Sequence, residues 1–295
     1  MDTFLRASVE GILLGGVYAL IALGVVVVYK SSKIFNLAHG GILMFLTYFL
    51  WWLLDARGLP LPVALVLLAL ASALVGLGID RFLMRPLIGQ GELITFILTL
   101  ALGFSIIHGV AVLIWGGSPE VMPDIFPSST ITIGNITVSY TLLFSFVVAT
   151  AMFLAFVYYF RYTKSGLAMR CVSEDQLVSQ SLGINVKRIC AVAWIVGCLS
   201  AAVSGMLLGS MFAVDSTIGG FAIMRALPVL LLGGIESVTG AYIGALIIGL
   251  TESLAGTYID PHVSGFRELL PYILMVAVLI LRPHGLFGLR GIRRI

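Results

Sequence analysis

Long apolar segments separated by short polar connectors dominate the chain. A helix rises 1.5 Å per residue, so about 20 apolar residues cross a hydrocarbon core of about 30 Å. Segments that are apolar at nearly every position favour helices over the alternating strands of a β-barrel. The blocks that predict membrane helices are residues 9–29, 39–54, 61–79, 93–115, 138–160, 189–212, 226–255 and 269–281.

Composition supports lipid as the working solvent. Of the 295 residues 60% are apolar and 11% are charged, against about 25% charged in a soluble domain. The mean hydropathy is +1.10, and a net charge of +3 gives no indication of a nucleic-acid partner. Three cysteines without paired spacing indicate buried thiols rather than a metal site. We therefore predict an all-α polytopic membrane protein that forms a single transmembrane domain over residues 1–295.

The block 226–255 departs from the simple pattern. It is too short for two complete spans and too rich in glycine for one uninterrupted helix. We predict a segment that enters the membrane, breaks and returns, since broken helices are tolerated where their backbone packs against protein or lines a cavity. With this re-entrant segment we expect eight to ten transmembrane helices. The glycines are Gly233, Gly234, Gly240, Gly244 and Gly249.

Basic residues orient the chain in the membrane. Lys and Arg concentrate in the connectors 161–188 and 80–92 and in the tail, which carries Arg282, Arg290, Arg293 and Arg294. The connector 116–137 contains two acidic residues and no basic one. Because short cytoplasmic loops carry the excess of Lys and Arg, we place the basic regions in the cytoplasm and 116–137 outside.

The connector 161–188 has the pattern of a short surface helix. Ser165 or Gly166 can start it, and Gly183 can end it in the left-handed conformation. Arg170 and Glu174 are spaced for an i,i+4 pair. A solvated loop is one interpretation of this connector, but a capped helix that exposes Leu and Met favours a docking partner.

Polar groups inside the apolar blocks are candidate functional residues. Asn36 and His39 share one side of a helix, where they can hydrogen-bond a substrate or pack against neighbouring helices. No nearby His or carboxylate has metal-ligand spacing, so we predict no metal. A proton-coupled carrier would use intramembrane ionisable groups, but no spacing links them and we assign them structural or interface roles. These groups are Glu252, His108, Glu236 and Arg225.

Enzymatic motifs are absent from the printed sequence. It contains no G-x-x-x-x-G-K-[ST] phosphate-binding loop and therefore gives no basis for ATP hydrolysis by this chain. It also contains no H-E-x-x-H helix and no Ser/His/Asp set that points to catalysis. An enzyme is the least favoured class.

Five segments carry a family resemblance over nearly the whole chain. The chain resembles the integral-membrane permease subunit of branched-chain amino-acid (LIV-type) ABC importers. Glu236 departs from that family, which usually has a second small residue after the Gly pair. The segments are FNLAHGG (35–41), DRFLMRPL (80–87), SGLAMRCVSEDQLVSQSLGINVKR (165–188), LGGIESVTGAYIGALIIGLTES (232–253) and RPHGLFG (282–288).

The resemblance implies a transport subunit of the bacterial or archaeal plasma membrane. Such permeases import branched-chain or other small hydrophobic amino acids, or related small amides. They pair with a second permease, a paralogue or a second copy, within membrane lipid. Two cytoplasmic ATP-binding subunits and an extracytoplasmic binding protein complete the system. ATP and Mg²⁺ would therefore be bound by the partner subunits, and this chain would carry no cofactor. The alternative is an ion-coupled secondary carrier that acts alone through Glu252 or His108.

The resemblance also implies roles for particular residues. Residues 166–183 would form the coupling helix that docks in the ATPase subunit, with Gly166, Leu167, Arg170, Glu174, Asp175 and Gly183 as its marked positions. For the substrate path we select the polar start of the second apolar block and the glycine break. These path residues are Asn36, His39, Gly40, Gly233 and Gly234.

Overall fold

Helices make up 78% of the computed structural model, which describes residues 2–87, 90–127, 129–133 and 136–288. Within these residues six helices are long and apolar enough to cross a membrane. Three shorter helices of 13 to 16 residues accompany them. The predicted all-α polytopic class is confirmed, while helix length alone does not decide the predicted eight to ten crossings.

The helices follow one another with few interruptions. Two of them continue into π-helical turns, at residues 79–84 after α3 and at residues 102–107 between α4 and α5. A third π-helical turn, residues 52–56, extends α2. The elements are α1 (Asp2–Ser32), α2 (His39–Trp51), α3 (Leu61–Gly78), α4 (Glu92–Ala101), α5 (His108–Trp115), β1 (Thr130–Ile133), β2 (Ile136–Ser139), α6 (Tyr140–Tyr162), α7 (Lys164–Glu174), α8 (Gln176–Ser181), α9 (Val186–Met211), α10 (Ile218–Gly233), α11 (Val238–Tyr258) and α12 (Phe266–Leu281).

Two predicted boundaries are wrong. The first block begins at Asp2 rather than at residue 9, because Arg6 and Glu10 pair one turn apart at 2.9 Å and continue the helix. The block 226–255 does break at Gly233, as predicted. Its first helix, α10, begins earlier than predicted, at Ile218, and the following α11 is an uninterrupted helix of 21 residues. The tail arginines Arg290, Arg293 and Arg294 lie outside the described residues.

The bundle consists of two halves of opposite direction. In the first half the long helix α1 is followed by the non-helical residues 33–38, then by the short α2 and the long α3. In the second half the long helix α9 is followed by residues 212–217, then by the short α10 and the long α11. The long first helix of each half packs against the long third helix of the other, α1 on α11 and α9 on α3. α1 ends beside the connector from which α9 starts, since the Gln176 side-chain amide donates to the Ser31 carbonyl at 3.4 Å. Inverted repeats of this kind are a common plan for membrane transporters.

Small residues let the central helices approach closely. Every residue from 17 to 28 of α1 is buried, as expected for a helix that is apolar on all sides. A Cβ atom built on Gly249 of α11 would lie 2.6 Å from the Cα of Gly15, and one built on Gly76 of α3 would lie 2.8 Å from the Trp194 carbonyl oxygen. Such small-residue contacts replace hydrophobic driving force in lipid, where tight packing and backbone proximity hold helices together.

The connector 116–137, predicted to lie outside, packs on one end of the bundle. An antiparallel bridge joins Glu120 to Val214, and the Tyr48 hydroxyl donates to the Ser118 carbonyl at 3.1 Å. The antiparallel pair β1–β2 follows and leads into α6. These contacts fix residues 212–217, the segment that precedes α10, at this end of the bundle.

Candidate functional site

The N-termini of the two short helices meet inside the bundle. A Cβ atom on Gly40 of α2 would collide with the Gly219 carbonyl oxygen, and one on Gly219 of α10 would lie 2.9 Å from the Gly40 carbonyl carbon. Only glycine permits this approach of two backbones. The neighbouring His39 ring contacts Gly24, eight residues before the end of α1 and therefore about 12 Å from that end. The junction therefore lies within the length of the bundle, where the first turns of two short helices leave backbone N–H groups without partners inside their own helices.

Buried polar atoms without partners surround the start of α2. Asn36 is 1% exposed and His39 is fully buried. Among the described residues, Asn36 Oδ1 and both ring nitrogens of His39 make no hydrogen bond, and no side chain caps the N-terminus of α2. Because unpaired buried polar atoms carry a desolvation cost, this cluster has the capacity to hydrogen-bond a polar group that enters the junction.

A side chain from the segment that precedes α10 hydrogen-bonds the first backbone N–H groups of this helix. Asp215 Oδ1 accepts hydrogen bonds from the backbone N–H groups of Thr217 at 2.8 Å and Ile218 at 2.9 Å, and from the Thr217 hydroxyl. A carboxylate at this position also matches the positive end of the helix dipole. The two N-termini therefore differ: that of α10 carries a side-chain cap, and that of α2 has none.

The glycine break lies at the other end of α10. Gly233 packs against Gly240, and Gly234 has φ +99°, which glycine adopts readily. The tail segment 282–288 covers this end, with the Leu286 N–H donating to the Leu232 carbonyl at 2.8 Å. Gly233 is 14 residues beyond Gly219, about 21 Å along the helix. The structure thus brings Asn36, His39 and Gly40 together and places Gly233 and Gly234 in a separate region.

Glu236, the residue that departs from the family pattern, joins the two halves. Its carboxylate accepts from Lys33 Nζ at 2.7 Å. Lys33 starts the non-helical segment 33–38 and has a left-handed backbone with φ +57°. The ion pair therefore ties the turn after α10 to the turn after α1.

A buried cluster of charged side chains joins three helices, a contact that the sequence pattern did not predict. Glu252 of α11 is fully buried, and its Oε1 accepts from Arg225 of α10 at 3.0 Å and from Arg267 of α12 at 3.5 Å. Arg225 also lies over the Phe221 ring at 3.7 Å. Pairing of this kind lowers the cost of burying charges in a membrane, although Glu252 Oε2 makes no hydrogen bond among the described residues. The residues are too far apart in sequence for any motif to have revealed the cluster.

The described residues provide no metal site. They contain no group of three or more His, Cys, Asp or Glu side chains placed to hold a metal ion. His108, the other ionisable residue considered for ion coupling, begins α5 and takes no part in the hydrogen bonds of the Glu252 cluster.

The connector 161–188 forms two helices instead of the single predicted one. Thr163 starts α7 by accepting from the Gly166 N–H at 3.0 Å, so the helix begins before the predicted Ser165 or Gly166. Asp175 then interrupts it in an extended conformation and caps α8, with Oδ1 accepting from the N–H groups of Leu177 and Val178. The predicted end at Gly183 is confirmed, with φ +83°. An Asp at this position prefers to cap a new helix rather than continue the old one.

One side of this connector packs against the bundle, and the other side is exposed. Met169 and Val172 of α7 are buried in the bundle. Arg170 lies 5.9 Å from the Phe160 ring centroid, and the ion pairs of the described residues do not include the predicted Arg170–Glu174 pair. The large apolar side chains that α7, α8 and the following turn expose are Leu167, Leu177, Val178 and Leu182.

The helical bundle, the interior junction of broken helices and the capped connector define a polytopic membrane permease. A family model described as the permease component of the branched-chain amino acid transport system matches residues 8–279. The chain belongs to this family, which confirms the resemblance drawn from its motifs. It is a multi-pass protein of the plasma membrane.

Curated relatives match over nearly their whole length. The chain is 32% identical to the high-affinity branched-chain amino acid transport system permease protein LivH of Salmonella typhimurium, over 97% of this chain and 96% of that protein. It is 30% identical over the same shares to BraD of Pseudomonas aeruginosa. A probable LivH of Methanocaldococcus jannaschii is 27% identical over 96% of this chain and 92% of that protein. These relatives are transport permease components rather than enzymes.

A more distant similarity is to a solved structure. PsaBC from Streptococcus pneumoniae in complex with Fab aligns with a TM-score of 0.47 and 14% identity, over 95% of this chain and 91% of that chain.

Proposed function

We propose that this chain is the membrane-spanning subunit of an ATP-driven importer of branched-chain or other small hydrophobic amino acids. The observation that carries the proposal is the connector 163–185, a capped pair of helices anchored in the bundle on one side and apolar on the other. An ATP-driven permease without a phosphate-binding loop of its own needs a separate ATPase, and this connector is the surface suited to receive it. The family of the chain and the names of its relatives support the substrate class.

The exposed surface of α7 and α8 combines apolar and charged side chains, as docking sites do. Leu177 is 79% exposed and Leu182 is 73% exposed, beside the exposed carboxylate of Glu174. Contiguous exposed apolar side chains with a polar rim are typical of protein interfaces. ATP-driven closure of two docked ATPase subunits would then move α7 and α8. This movement would shift the permease between its arrangements, to the extent that the transporter binds ATP more tightly in one arrangement than in the other.

Replacing Glu174 by lysine is expected to weaken ATPase docking without unfolding the permease. Charge reversal at a docked surface costs about 1 kcal/mol, or roughly fivefold in affinity. The measurement is the ATPase retained in a pull-down from membranes at equal permease abundance. Asp124→Lys is the matched control, because it makes the same charge change at an exposed site of the external loop and should retain ATPase fully. Equal retention by both variants would contradict the docking assignment.

Asp175 needs a different substitution, since it has a structural task. Asp175→Lys would remove the α8 cap as well as a charge and so confuse two effects. Asp175→Ser keeps a capping oxygen and removes only the charge, which makes it the better companion to Glu174→Lys.

Asn36, His39 and Gly40 form the part of the proposed path that the fold brings together. Their unpaired polar atoms and the uncapped N-terminus of α2 suit a zwitterionic or amide-bearing solute. Gly233 and Gly234 stay a separate prediction for the cytoplasmic end of the path. The proposed second permease, a paralogue or another copy, would complete the passage beside this chain, and an extracytoplasmic binding protein would deliver the substrate.

The substitutions Asn36→Ala and His39→Ala are expected to lower the initial uptake rate by about tenfold at normal membrane abundance. Each removes a group that hydrogen-bonds the solute, and such a loss is worth about 1–3 kcal/mol. Uptake in reconstituted vesicles containing the whole transporter measures it. Ser145→Ala is the control, because Ser145 also has a buried hydroxyl without a partner but lies on α6. If the two variants transport as fast as Ser145→Ala, these residues do not line the path.

A further inference from the structure

A cavity of about 590 Å³ lies at the end of the bundle that carries the connector 161–188, the end that we place in the cytoplasm. Its walls come from the end of α1 and the following residues 33–35, the turn after α3, the start of α4, and α8 and α9. Gln176, one of its lining residues, belongs to the cytoplasmic connector and hydrogen-bonds Ser31. The cavity therefore sits at the depth where the headgroups of the cytoplasmic leaflet surround the protein.

Positive charge exceeds negative charge on the described part of the lining. The basic side chains are Lys33, Arg85 and Lys187, and the acidic one is Asp80. Arg85 pairs with Asp80 through two nitrogens, each 2.8 Å from Oδ2. Lys33 pairs with Glu236, which does not line the cavity. Lys187 is exposed and has no ion pair among the described residues, so its charge is available to a ligand.

A buried donor without a partner also borders the cavity. The Trp194 side chain is 1% exposed, and its indole N–H makes no hydrogen bond among the described residues. Indole nitrogen donates and never accepts. An unpaired buried donor and an unpaired ammonium that line the same cavity indicate a ligand that presents acceptor oxygens and negative charge.

Part of the cavity wall is apolar and exposed on the outer surface of the chain. Leu93 and Phe96 of α4 line the cavity, yet they are 68% and 39% exposed. A ligand held there has a charged end among Lys187, Arg85 and Trp194 and an apolar path along the outer surface of α4. A soluble anion would leave this apolar wall unused, whereas a lipid would cover it.

We propose that this cavity binds the phosphate headgroup of an anionic phospholipid from the cytoplasmic leaflet, with its acyl chains along Leu93 and Phe96. Basic pockets between membrane helices on the cytoplasmic side are suited to such headgroups. The volume of about 590 Å³ accommodates a phosphoglycerol headgroup. The proposal concerns a lipid site of the bundle and does not depend on the direction or substrate of transport.

The test compares lipid retention by two neighbouring variants. Lys187→Gln removes a charge that lines the cavity, and Arg188→Gln removes an equally exposed charge on the same turn of α9 that does not. The full transporter is reconstituted in nanodiscs of phosphatidylcholine with a minority of phosphatidylglycerol, extracted in mild detergent, and its bound lipid is measured by native mass spectrometry. We expect Lys187→Gln to retain about fivefold less phosphatidylglycerol and Arg188→Gln to retain as much as the unchanged chain.

Two further measurements separate the lipid from other ligands. Phosphatidylglycerol should raise the melting temperature of the unchanged chain, and Trp194→Phe, which keeps an aromatic ring but removes the donor, should reduce that rise. Equal retention by Lys187→Gln and Arg188→Gln would overturn the proposal, as would equal retention of phosphatidylcholine and phosphatidylglycerol. Displacement of the lipid by millimolar inorganic phosphate would also overturn it, because the site would then recognise a free anion.

Discussion

Replacing Glu252 by glutamine is expected to lower the free energy of unfolding by about 3–5 kcal/mol, the usual result of breaking a buried ion pair by removing one partner. Glu252 is fully buried, and Arg225 keeps only 12% of its side chain exposed. The neutral amide would leave the Arg225 charge without its counter-ion in a poorly solvated site. The melting temperature of the detergent-solubilised chain should fall clearly, and α10 should lose its tie to α11 and α12.

An exposed pair in the same chain serves as the control for Glu252. Arg6 and Glu10 pair at 2.9 Å with 57% and 35% of their side chains exposed. Such surface pairs contribute about 0–1 kcal/mol, so Glu10→Gln should leave the melting temperature nearly unchanged. Equal small effects of both substitutions would show that the Glu252 cluster does not stabilise the bundle.

Gly40→Ala is expected to disrupt the junction of α2 and α10 and to reduce the amount of assembled permease in the membrane severalfold. The added methyl group would collide with the Gly219 backbone, and backbone cannot move aside as a flexible side chain can. Overpacking of a tight contact costs about 1–3 kcal/mol, with a larger penalty where both neighbours are backbone. Fluorescence-detected size-exclusion chromatography of the solubilised chain measures the assembled fraction.

Gly220→Ala provides the matched control for Gly40. Gly220 occupies the same short helix as Gly219, but a Cβ atom there has no neighbour within 4 Å. Alanine has a higher helix propensity than glycine, so this variant should assemble at least as well as the unchanged chain. A normal elution profile for Gly40→Ala would mean that α2 and α10 do not meet as described.

The long spanning helices could be predicted from hydrophobicity alone. α3, α6 and α9 begin and end close to the predicted blocks, because an uninterrupted apolar run of this length has no stable alternative in lipid. These features depend on solvation and length, which are local properties of the sequence.

The interior junction could not be predicted in this way. α10 contains Arg225, whose charge interrupts the apolar run, and only the partner Glu252 on another helix makes that position tolerable. A signal was nevertheless present. Asp215 and Thr217 have the character of a helix start, and they precede a Gly–Gly pair at 219–220 that corresponds to the pair at 40–41. Matching interruptions in two halves of a chain are the typical sign of a transporter junction.

The fold distributes the candidate site residues over separate regions. Asn36, His39 and Gly40 are neighbours in sequence and stay together in the fold, whereas the Gly233–Gly234 break lies far along α10 because a helix separates residues by a fixed rise. Asp175 was expected as a docking contact, and the fold uses its carboxylate as the cap of α8. A charge pattern alone does not distinguish a surface contact from a cap.

The central claim is that this chain works as the permease of a larger ATP-driven importer. Purification of the chain from its native membrane in mild detergent, with mass spectrometry of the bound proteins and ATP-dependent uptake after reconstitution, tests it most directly. The account predicts recovery of ATPase subunits and a second permease, and amino-acid uptake that requires ATP. Recovery of the chain alone, with uptake driven by an ion gradient and unaffected by ATP, would contradict it.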